Sequence, residues 1–541
     1  MATITIDGTV CEFEGKKTIL QVALENNVPI PYYCYHPGLS VVGVCRICLA
    51  EVAQPNPRND NKVEKIPKLL PTCQTPAADG SEVWTQSSKS QQNQKAVMEY
   101  LLINHPLDCP VCDQAGECHL QDYSYDYGRG VSRFQEFKSK NPKKDIGPNI
   151  YLYADRCIMC SRCVRFTREV TGTAELGIMG RGHKEEIDTF PGKPLDNPLS
   201  ANVADICPVG ALLDKNFLFA QRVWNLKSTP GIDGITASGD NLWIDHNEGV
   251  IYRFRPRENM DVNTWWTSDE IRYSWNFVHS EDRLNSPAAR QDGELRNTNW
   301  DDAIAAARDG LQAQVEADKK ILGVISPMLT CEEAFVLGKT ILAYESSAVL
   351  ALGPVPTQGE DQTFPGGYKI YAEKAPNARG VRRVLAELGI DVIDYDEAVE
   401  SLGDDSVGAV LLTGNYPSAW VTDSLVQALD GKFVVLIDTL PNALTDKADV
   451  LLPSATWTEK AGTFENANNR LQVFEQAIAV KELARTEGQI AIDLLVSAGL
   501  AEASRFNAAE VREDLGGEFV NDIHFPAAEH AVKPEMEFVE L

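Results

Sequence analysis

The sequence has no run of about twenty apolar residues, so nothing in it predicts a helix that crosses a bilayer. Basic side chains are also few, with 50 lysines and arginines against 78 acidic residues and a net charge of −28. A chain this acidic repels phosphate backbones, which argues against nucleic acid as a partner. The first ten residues, MATITIDGTV, lack the basic and then apolar pattern of an export signal. We therefore expect a reducing, cytoplasmic compartment.

Motifs that hold nucleotides are missing as well. No G-x-G-x-x-G follows a predicted strand, and no Walker A sequence is present. Cysteine is nearly absent from the second half of the chain, where Cys331 is the only one of thirteen. We therefore expect that the chain neither accepts hydride from a nucleotide nor completes a turnover alone.

Eleven cysteines lie between residues 34 and 207, and they fall into three groups. Two groups contain four cysteines, and one contains three cysteines and a histidine. Each group therefore supplies four soft or borderline ligands, the number that an iron–sulfur cluster needs. Short C-x-x-C gaps suit one metal centre better than a disulfide network. The groups are Cys34-x10-Cys45-x2-Cys48-x24-Cys73, His105-x3-Cys109-x2-Cys112-x5-Cys118 and Cys157-x2-Cys160-x2-Cys163-x43-Cys207.

The first group favours a [2Fe–2S] site. Plant-type ferredoxins use C-x4-C-x2-C with a distant fourth cysteine, and here the first gap is ten residues. The surrounding pattern is that of a small β-grasp domain: a hairpin turning at Asp7-Gly8, a helix capped by Thr18, and a strand from Ile47. Backbone N–H groups of the ligand loop, including that of Gly43, could donate to sulfur. The alternative is a structural zinc site of four cysteines.

The second group contains a histidine. Pro106 bends the chain between His105 and Cys109, and Gly116 permits the turn before Cys118. Histidine in place of cysteine changes the charge of a cluster and raises its potential, as in Rieske centres. Two alternatives are an ordinary polar or core histidine and a zinc site of three cysteines and one histidine.

The third group begins like the bacterial [4Fe–4S] motif, but no second triplet follows it. Cys207, which precedes Pro208, is therefore the predicted fourth ligand of a [4Fe–4S] cluster. Two cysteines remain. Cys11 is predicted to be a small buried side chain on a strand. Cys331 is predicted to be structural, with a low-pKa thiol at a helix start as the alternative.

From about residue 295 the pattern of helical and apolar segments in the sequence changes. Helical segments such as DDAIAAARDGLQAQVEA and EEAFVLGKTIL alternate with apolar runs such as ILGVIS, AVLALG, VGAVLLTG and FVVLIDT. That alternation predicts a parallel sheet flanked by helices. Earlier in the chain, the sequence predicts a helix over residues 89–104 and a loop over residues 121–150. It also predicts short strands at ITASG, NLWID and GVIYRF. A helix is also predicted to open on the third cysteine triplet.

The three groups in this order, with the phrases HPLDCPVCDQAGECHLQDYSY, RCIMCSRCVRF and NVADICPVGAL, resemble the large iron–sulfur subunit family of respiratory complex I, NADH:quinone oxidoreductase (75-kDa or G subunits). The resemblance implies a [2Fe–2S] cluster on the first group and [4Fe–4S] clusters on the second and third. It also implies a subunit that relays electrons from the flavin-bearing NADH subunit, through other peripheral-arm subunits, towards quinone. Such a complex would sit at the cytoplasmic membrane.

The second half is similar to molybdopterin oxidoreductases, chiefly in ADVLLPSATWTEKAGTFENANNRLQ. A molybdenum enzyme is therefore a rival interpretation. Those enzymes usually carry a cysteine-ligated cluster at the start of this region, whereas residues 228–272 have no cysteine and Ser268 stands near the expected last ligand. The chain also ends before the place of a final pterin-binding domain. We expect neither molybdopterin nor metal in this half.

The fold class expected is an α+β iron–sulfur region, a β-grasp ferredoxin-like domain with helical and loop cluster domains, followed by an α/β domain resembling molybdopterin oxidoreductases. The predicted domains are the [2Fe–2S] domain 1–80, the His/Cys [4Fe–4S] domain 81–145, the all-cysteine [4Fe–4S] domain 146–220, a cluster-less β-rich domain 221–281, the α/β domain 282–506 and an acidic tail 507–541 that is loosely ordered or lies against a partner.

Two other functions stay open. One is an electron-relay subunit of an NAD-linked hydrogenase or formate dehydrogenase, whose small subunits resemble only the first 240 residues or so. The other is a zinc-stapled scaffold without redox activity, which would be colourless where iron–sulfur clusters give a brown solution.

Overall fold

The computed structural model describes residues 1–56 and 58–524. The chain divides into two compact units. The N-terminal unit comprises Met1–Leu226 with Phe364–Tyr368, and the C-terminal unit comprises Lys227–Thr363 with Lys369–Leu541. Within the described residues, no helix is both long and apolar enough to cross a membrane.

The N-terminal unit begins with the predicted β-grasp domain. Its sheet has the order β2-β1-β6-β3-β4, with β5 paired to β3, and β1 runs parallel to β6. Helix α1 packs its apolar face on this sheet and buries Ile19, Leu20, Val22 and Ala23. The elements are β1 (Ala2–Ile6), β2 (Thr9–Phe13), α1 (Ile19–Glu25), β3 (Leu49–Asn56), β4 (Lys62–Lys65), β5 (Leu70–Pro71) and β6 (Ser81–Trp84).

Local chemistry fixes the ends of these elements as predicted. Asp7 and Gly8 both adopt positive φ, +48° and +91°, which the tight turn between β1 and β2 requires. Thr18 caps α1, because its hydroxyl accepts from the backbone N–H of Gln21 while the Gln21 side chain accepts from the backbone N–H of Thr18.

The rest of this unit consists of short helices and two small sheets around the second and third ligand groups. Helix α2 confirms the helix predicted over 89–104. The prediction of a loop over 121–150 is wrong at its start, where α3 continues through residue 126, and at β7. The elements are α2 (Ser88–Leu102), α3 (His119–Asp126), β7 (Lys143–Asp145), β8 (Ile150–Tyr153), α4 (Arg162–Arg165), β9 (Leu176–Met179), β10 (Glu186–Thr189), α5 (Asn202–Ile206) and β11 (Leu212–Asp214).

The C-terminal unit opens with a three-stranded antiparallel sheet, β12-β13-β14. Strands β13 and β14 confirm NLWID and GVIYRF. ITASG is not a strand, since residues 235–239 form bends around buried polar side chains, and the first strand lies earlier in the chain. The elements are β12 (Lys227–Ile232), β13 (Asn241–Asn247), β14 (Val250–Pro256) and α6 (Asp269–Arg272).

The predicted α/β fold follows. Its sheet has the order β16-β15-β24-β23-β22-β17-β18-β21, in which β17, β18, β21, β22, β23 and β24 are parallel and a hairpin of β15 and β16 forms one edge. The elements are β15 (Ala288–Gln291), β16 (Glu294–Asn297), α7 (Trp300–Glu316), β17 (Lys320–Ile325), α8 (Cys331–Tyr344), β18 (Val349–Leu352), β19 (Gln362–Thr363), β20 (Lys369–Ile370), α9 (Ala378–Ala386), β21 (Val392–Ile393), α10 (Tyr395–Ser401), β22 (Val407–Thr413), α11 (Asp423–Ala428), β23 (Phe433–Asp438), β24 (Val450–Pro453), β25 (Gly462–Glu465), β26 (Leu471–Phe474) and α12 (Glu487–Ser497).

Numbered along the chain, the six parallel strands have the order 3-2-1-4-5-6 of a doubly wound sheet. The order reverses between β17 and β22, where open α/β sheets have a crevice at the carboxyl ends of the strands. Here buried polar side chains accept hydrogen bonds from backbone N–H groups at these ends. The Thr413 hydroxyl accepts from the N–H of Ser326 at 2.7 Å, and Asp438 accepts from the N–H of Asn415 at 2.8 Å.

Residues 507–524 do not form the loose acidic tail that composition predicted. They contain α13 (Ala508–Leu515) and α14 (Glu518–Asn521). Arg512 pairs with the fully buried Glu332 at 2.7 Å, and Phe519 joins the hydrophobic core. The remainder of the predicted tail, residues 525–541, lies outside the described residues.

Candidate metal centres

The first ligand group consists of three cysteines in one loop of the β-grasp domain and a fourth from a later segment. Cys34 and Cys45 lie after α1, Cys48 immediately precedes β3, and Cys73 returns after β5. The Sγ atoms of Cys34 and Cys45 are 3.4 Å apart. The Cys34, Cys48 and Cys73 side chains are at most 2 % exposed.

These thiols interact in two pairs, Cys34 with Cys45 and Cys48 with Cys73. A hydrogen bond from the Cys45 thiol, together with backbone N–H groups of Val44 and Cys45, lowers the pKa of Cys34 to about 5. A hydrogen bond from Cys73 likewise lowers the pKa of Cys48 to about 7, while the pKa values of Cys45 and Cys73 are raised. Within each pair one thiol is therefore the more readily ionised, and the thiolate is the form that binds iron.

The second ligand group lines one cavity. Cys118 ends the segment before α3, and Cys109 and Cys112 flank a single helical turn. Gly210 completes the wall, and a Cβ at that position would lie only 2.2 Å from Cys112 Sγ. The lining residues are His105, Asp108, Cys109, Cys112, Ala115, Cys118, Gln121, Arg156 and Gly210.

The imidazole of His105 has the properties that a metal ligand needs. Its Nδ1 atom is shielded from solvent and has no hydrogen-bond partner. Burial, helped by the positive charges of Arg156 and Lys138, lowers the pKa of the imidazole to about 4. The ring is therefore neutral at physiological pH and keeps a lone pair available for a metal. Arg156 is held in place by Asp108, at 2.9 Å from Nη2.

The third ligand group lines a second cavity. The helix predicted to open on this triplet begins only at Arg162. Before it, Met159 and Ser161 adopt positive φ, +54° and +60°, and fold the chain tightly around the cavity. The lining residues are Leu152, Cys157, Ile158, Cys160, Ser161, Arg162, Cys163, Ile187, Cys207, Val209, Ala211 and Leu212.

The chemistry of these two donor sets fits a positively charged metal group. Burial raises the pKa of Cys160 to about 11 and those of Cys157 and Cys118 to about 12. Buried thiols with such pKa values ionise only when a cation compensates the charge. Arg162 Nε and His105 Nδ1, one at each cavity, are shielded polar atoms without a partner. No three His, Cys, Asp or Glu side chains of the described residues converge as one mononuclear site would require.

A short segment joins the second and third cavities. Cys207 and Val209 line the third cavity, and Gly210 lines the second. Between them, the carbonyl of Pro208 accepts from the N–H of His119 at 3.1 Å. The first and third groups are joined instead by the guanidinium groups of Arg162 and Arg165, which bond to carbonyls of both ligand loops.

Sequence reasoning missed Arg156, Arg162, Arg165 and Gly210. The arginines flank or interleave the third triplet in RCIMCSRCVR, and that proximity is the signal that could have identified them. Gly210 is recognisable only in three dimensions, because the cysteine that it meets lies 98 residues earlier.

The remaining singled-out residues have structural positions. Cys11 is fully buried on β2, as predicted. Cys331 is fully buried at the first position of α8, and burial and the adjacent Glu332 raise its pKa well above the ordinary value. The low-pKa alternative for Cys331 is therefore wrong. Ser268 caps α6, since its hydroxyl accepts from the N–H of Ile271 at 3.3 Å.

Comparisons with known protein families match five regions of the chain. The families are described as 2Fe-2S iron-sulfur cluster binding domain (residues 1–88), NADH-ubiquinone oxidoreductase-G iron-sulfur binding region (94–133), NADH-quinone oxidoreductase subunit 3, ferredoxin-like domain (147–213), NADH-ubiquinone oxidoreductase NDSU1/NuoG-like, 4Fe-4S domain (226–276) and molybdopterin oxidoreductase (359–496). The fourth match falls on a segment without cysteine.

These matches and the fold define an iron–sulfur protein in which ferredoxin-type domains precede an α/β domain of the molybdopterin oxidoreductase type, as predicted. The chain is a relative of the 75-kDa, or G, subunits of NADH:quinone oxidoreductase, which confirms the resemblance found in the cysteine motifs.

Three relatives illustrate the similarity. The NADH-ubiquinone oxidoreductase 75 kDa subunit of Reclinomonas americana is 38% identical over 356 residues, covering 66% of this chain and 50% of that protein. The NADH dehydrogenase [ubiquinone] iron-sulfur protein 1 of Solanum tuberosum is 40% identical over 335 residues, 62% and 44% of the two chains. The 78 kDa subunit of Neurospora crassa is 37% identical over 420 residues, 76% and 51%.

The chain thus spans about half the length of the curated relatives that it matches. Among solved structures, a chain of NAD+-reducing [NiFe]-hydrogenase in the H2-reduced state is 30% identical. The match covers 41% of this chain and 91% of that chain, with a TM-score of 0.36.

Proposed function

We propose that this chain is an electron-transfer subunit of a respiratory NADH:quinone oxidoreductase, relaying single electrons from a flavin-bearing NADH subunit towards quinone. Its partners would be that subunit and other peripheral-arm subunits, on the cytoplasmic side of the membrane. The twelve ligands would be Cys34, Cys45, Cys48 and Cys73 for one [2Fe–2S] cluster, His105, Cys109, Cys112 and Cys118 for one [4Fe–4S] cluster, and Cys157, Cys160, Cys163 and Cys207 for a second.

The observation that carries the proposal is the lining of two separate cavities. Each cavity is bordered by all four members of one ligand group that spacing alone had selected. By residue type alone, structural zinc would also suit either set of donors, but neither set converges on one mononuclear site in the described part of the chain. Three adjoining sites in one unit, in a relative of oxidoreductase subunits, favour electron transfer over structural metal.

The chain's own residues would do three things. The thiols and His105 would bind the metal groups, the apolar walls would exclude water, and the arginines would compensate negative charge. Iron–sulfur clusters supply one-electron chemistry when bound. The contacts support a sequence of neighbours in which the third group lies between the first, through Arg162 and Arg165, and the second, through Pro208 and Gly210.

A hydrogenase or formate dehydrogenase relay is less well supported. Subunits of that kind are expected to share only the first 240 residues or so, whereas the relatives align over 335 to 420 residues. The molybdenum alternative is also disfavoured, because the segment over 226–276 offers no cysteine and Ser268 is engaged as a helix cap.

Metal and sulfide analysis of the full-length chain, purified without oxygen, tests the proposal. We expect about ten irons and about ten sulfides per chain, from one [2Fe–2S] and two [4Fe–4S] clusters. Electron paramagnetic resonance should resolve more than one reduced species. Zinc in place of iron, or iron without sulfide, would contradict the proposal.

His105→Ala tests the unusual ligand. Because the imidazole is neutral and its Nδ1 has no protein partner, we expect this variant to alter one paramagnetic resonance signal and leave the others. The control is Asn104→Ala at the adjacent exposed position. A fully loaded His105→Ala protein with an unchanged spectrum would remove His105 from the ligand set.

A further inference from the structure

Arg162 and Arg165 are two buried cations without a carboxylate partner. Each residue is 5 % exposed, and neither forms an ion pair with any carboxylate of the described residues; Glu169 acts on Arg165 only from beyond ion-pair distance. An uncompensated buried charge is strongly unfavourable unless hydrogen bonds and an opposite charge offset it. Something at this place in the N-terminal unit must therefore favour positive charge.

The hydrogen bonds of Arg165 connect the first and third ligand loops. Its Nη2 donates to the carbonyl oxygens of Cys34 and Cys160, the latter at 3.4 Å. Its Nη1 donates to the carbonyl of Ser40. One guanidinium thus bonds directly to a ligand residue of each group.

Arg162 makes a parallel connection. Nη2 donates to the carbonyl of Tyr35, next to Cys34, at 2.6 Å, and Nη1 donates to the carbonyl of Ile206, next to Cys207, at 3.1 Å. Its Nε atom is shielded from solvent and has no partner, and the side chain lines the cavity of the third group. One donor of this buried cation therefore remains free beside the cavity of the third group.

We propose that Arg162 and Arg165 form a shared cation pair that raises the reduction potentials of the first and third iron–sulfur sites together. This inference rests on the proposed function. A cluster ligated by four thiolates carries net negative charge, and reduction adds one more negative charge. A nearby buried cation stabilises the reduced state more than the oxidised state, because Coulomb interactions are strong where water is excluded.

Neither Arg162 nor Arg165 lines the cavity of the second group. The cation that lines it is Arg156, whose charge is balanced by Asp108 at 2.9 Å. The cation pair therefore predicts a change at two of the three sites, which a general loss of stability would not produce.

The test compares variants of the full-length chain after iron and sulfide analysis has established that the unchanged protein holds its clusters. Arg165→Gln should lower the potentials of the first and third sites, and Arg162→Gln should lower the third more than the first. We expect the reduction equilibria to fall about tenfold, which is about 59 mV for a one-electron couple. Redox titration followed by paramagnetic resonance measures each site separately.

The matched control is Arg168→Gln, which removes the same charge from an exposed position three residues beyond Arg165. It should leave all three potentials unchanged. Arg162→Lys and Arg165→Lys keep the charge and lose the forked donors, so their potentials should fall less than those of the glutamine variants. If a glutamine variant does not retain iron, the lysine variant at the same position is titrated instead. The inference then requires the potentials of its first and third sites to fall while that of the second site stays unchanged.

Loaded variants whose first and third potentials equal those of the unchanged protein would overturn the inference, as would equal shifts at all three sites. Either result would leave the proposed electron-transfer role intact, because the clusters would still be present. Zinc, or an absence of sulfide, in the unchanged chain would instead contradict the proposed function itself.

Discussion

Gly210 shows how closely the second ligand group is packed. The residue stands three positions after Cys207 and supplies wall to the cavity that His105, Cys109, Cys112 and Cys118 line. A Cβ there would come within 2.2 Å of Cys112 Sγ and 3.2 Å of Gln114 Cβ. The requirement for glycine at this position is one of space, since the short cysteine side chain cannot move aside without leaving the ligand set.

Gly210→Ala should therefore displace Cys112 and empty the second site. We expect the loss of about four irons per chain and of one paramagnetic resonance signal, with the other sites retained. Gly130→Ala is the control, because a Cβ there has no neighbour within 4 Å. Full iron content in the Gly210→Ala protein would show that the Cys112 thiol is dispensable or that the loop relaxes.

At the scale of elements, the parts specified by nearby residues were predictable from the sequence. Asp7-Gly8 and the Thr18 cap each act within four residues, and the alternation of β17, α8 and β18 follows directly from hydrophobic periodicity. Spacing in the chain also restricts which thiols can meet, and the second and third groups that it selected each line one cavity.

The features that the sequence did not predict depend on contacts between residues that are distant in the chain. The segment ITASG has strand-like composition, yet Asp233 draws the N–H groups of Ile235 and Thr236 into a buried turn. Arg165 reaches a carbonyl 131 residues earlier in the chain. Composition also misjudged residues 507–524, where the ion pairs Arg512–Glu332 and Arg383–Glu518 and the buried Phe519 hold acidic helices against the core.

The C-terminal unit contains an unbalanced ionic cluster at the start of α12. Lys460 Nζ lies 2.8 Å from Glu333 Oε2 and 2.7 Å from Glu487 Oε2, and none of the three side chains is more than 1 % exposed. Two carboxylates thus share one ammonium group. Burial, and then the neighbouring Glu333, raise the pKa of Glu487 to about 8.

This raised pKa makes the stability of the C-terminal unit depend on pH. The folded chain retains the proton of Glu487 up to about pH 8, whereas the unfolded chain loses it above its ordinary value of 4.5. Stability should therefore fall as pH rises through this window, by at most about 1.4 kcal/mol per pH unit. Glu487→Gln should flatten the dependence, as measured by urea unfolding at pH 5.5, 6.5 and 7.5.

Tryptophan fluorescence suits this measurement, because Trp84 and Trp224 lie in the N-terminal unit and the other seven tryptophans lie in the C-terminal unit. Glu502→Gln, at an exposed position, serves as the control. An unchanged pH slope in the Glu487→Gln protein would mean that another group is responsible.

On the scale of the whole molecule, the two units are stabilised in different ways. The C-terminal unit contains an extensive hydrophobic core around its eight-stranded sheet. In the N-terminal unit, the segments around the second and third ligand groups consist of short helices and two- or three-stranded sheets, with eight candidate ligand side chains among them. Small elements of this kind depend on metal for stability more than a large apolar core does.

Removal of iron should therefore loosen one unit and spare the other. After anaerobic chelation, we expect faster backbone hydrogen exchange over residues 31–48, 103–126 and 154–212, which contain most of the ligands, and unchanged exchange in the parallel sheet over 320–453. The physical reason is that the buried thiols, once protonated, no longer bridge separate segments of chain. Mass spectrometry of the same preparation before and after chelation provides the comparison. Equal loosening of both units would indicate that the sheet also relies on metal, and no change over the ligand segments would mean that their fold is independent of it.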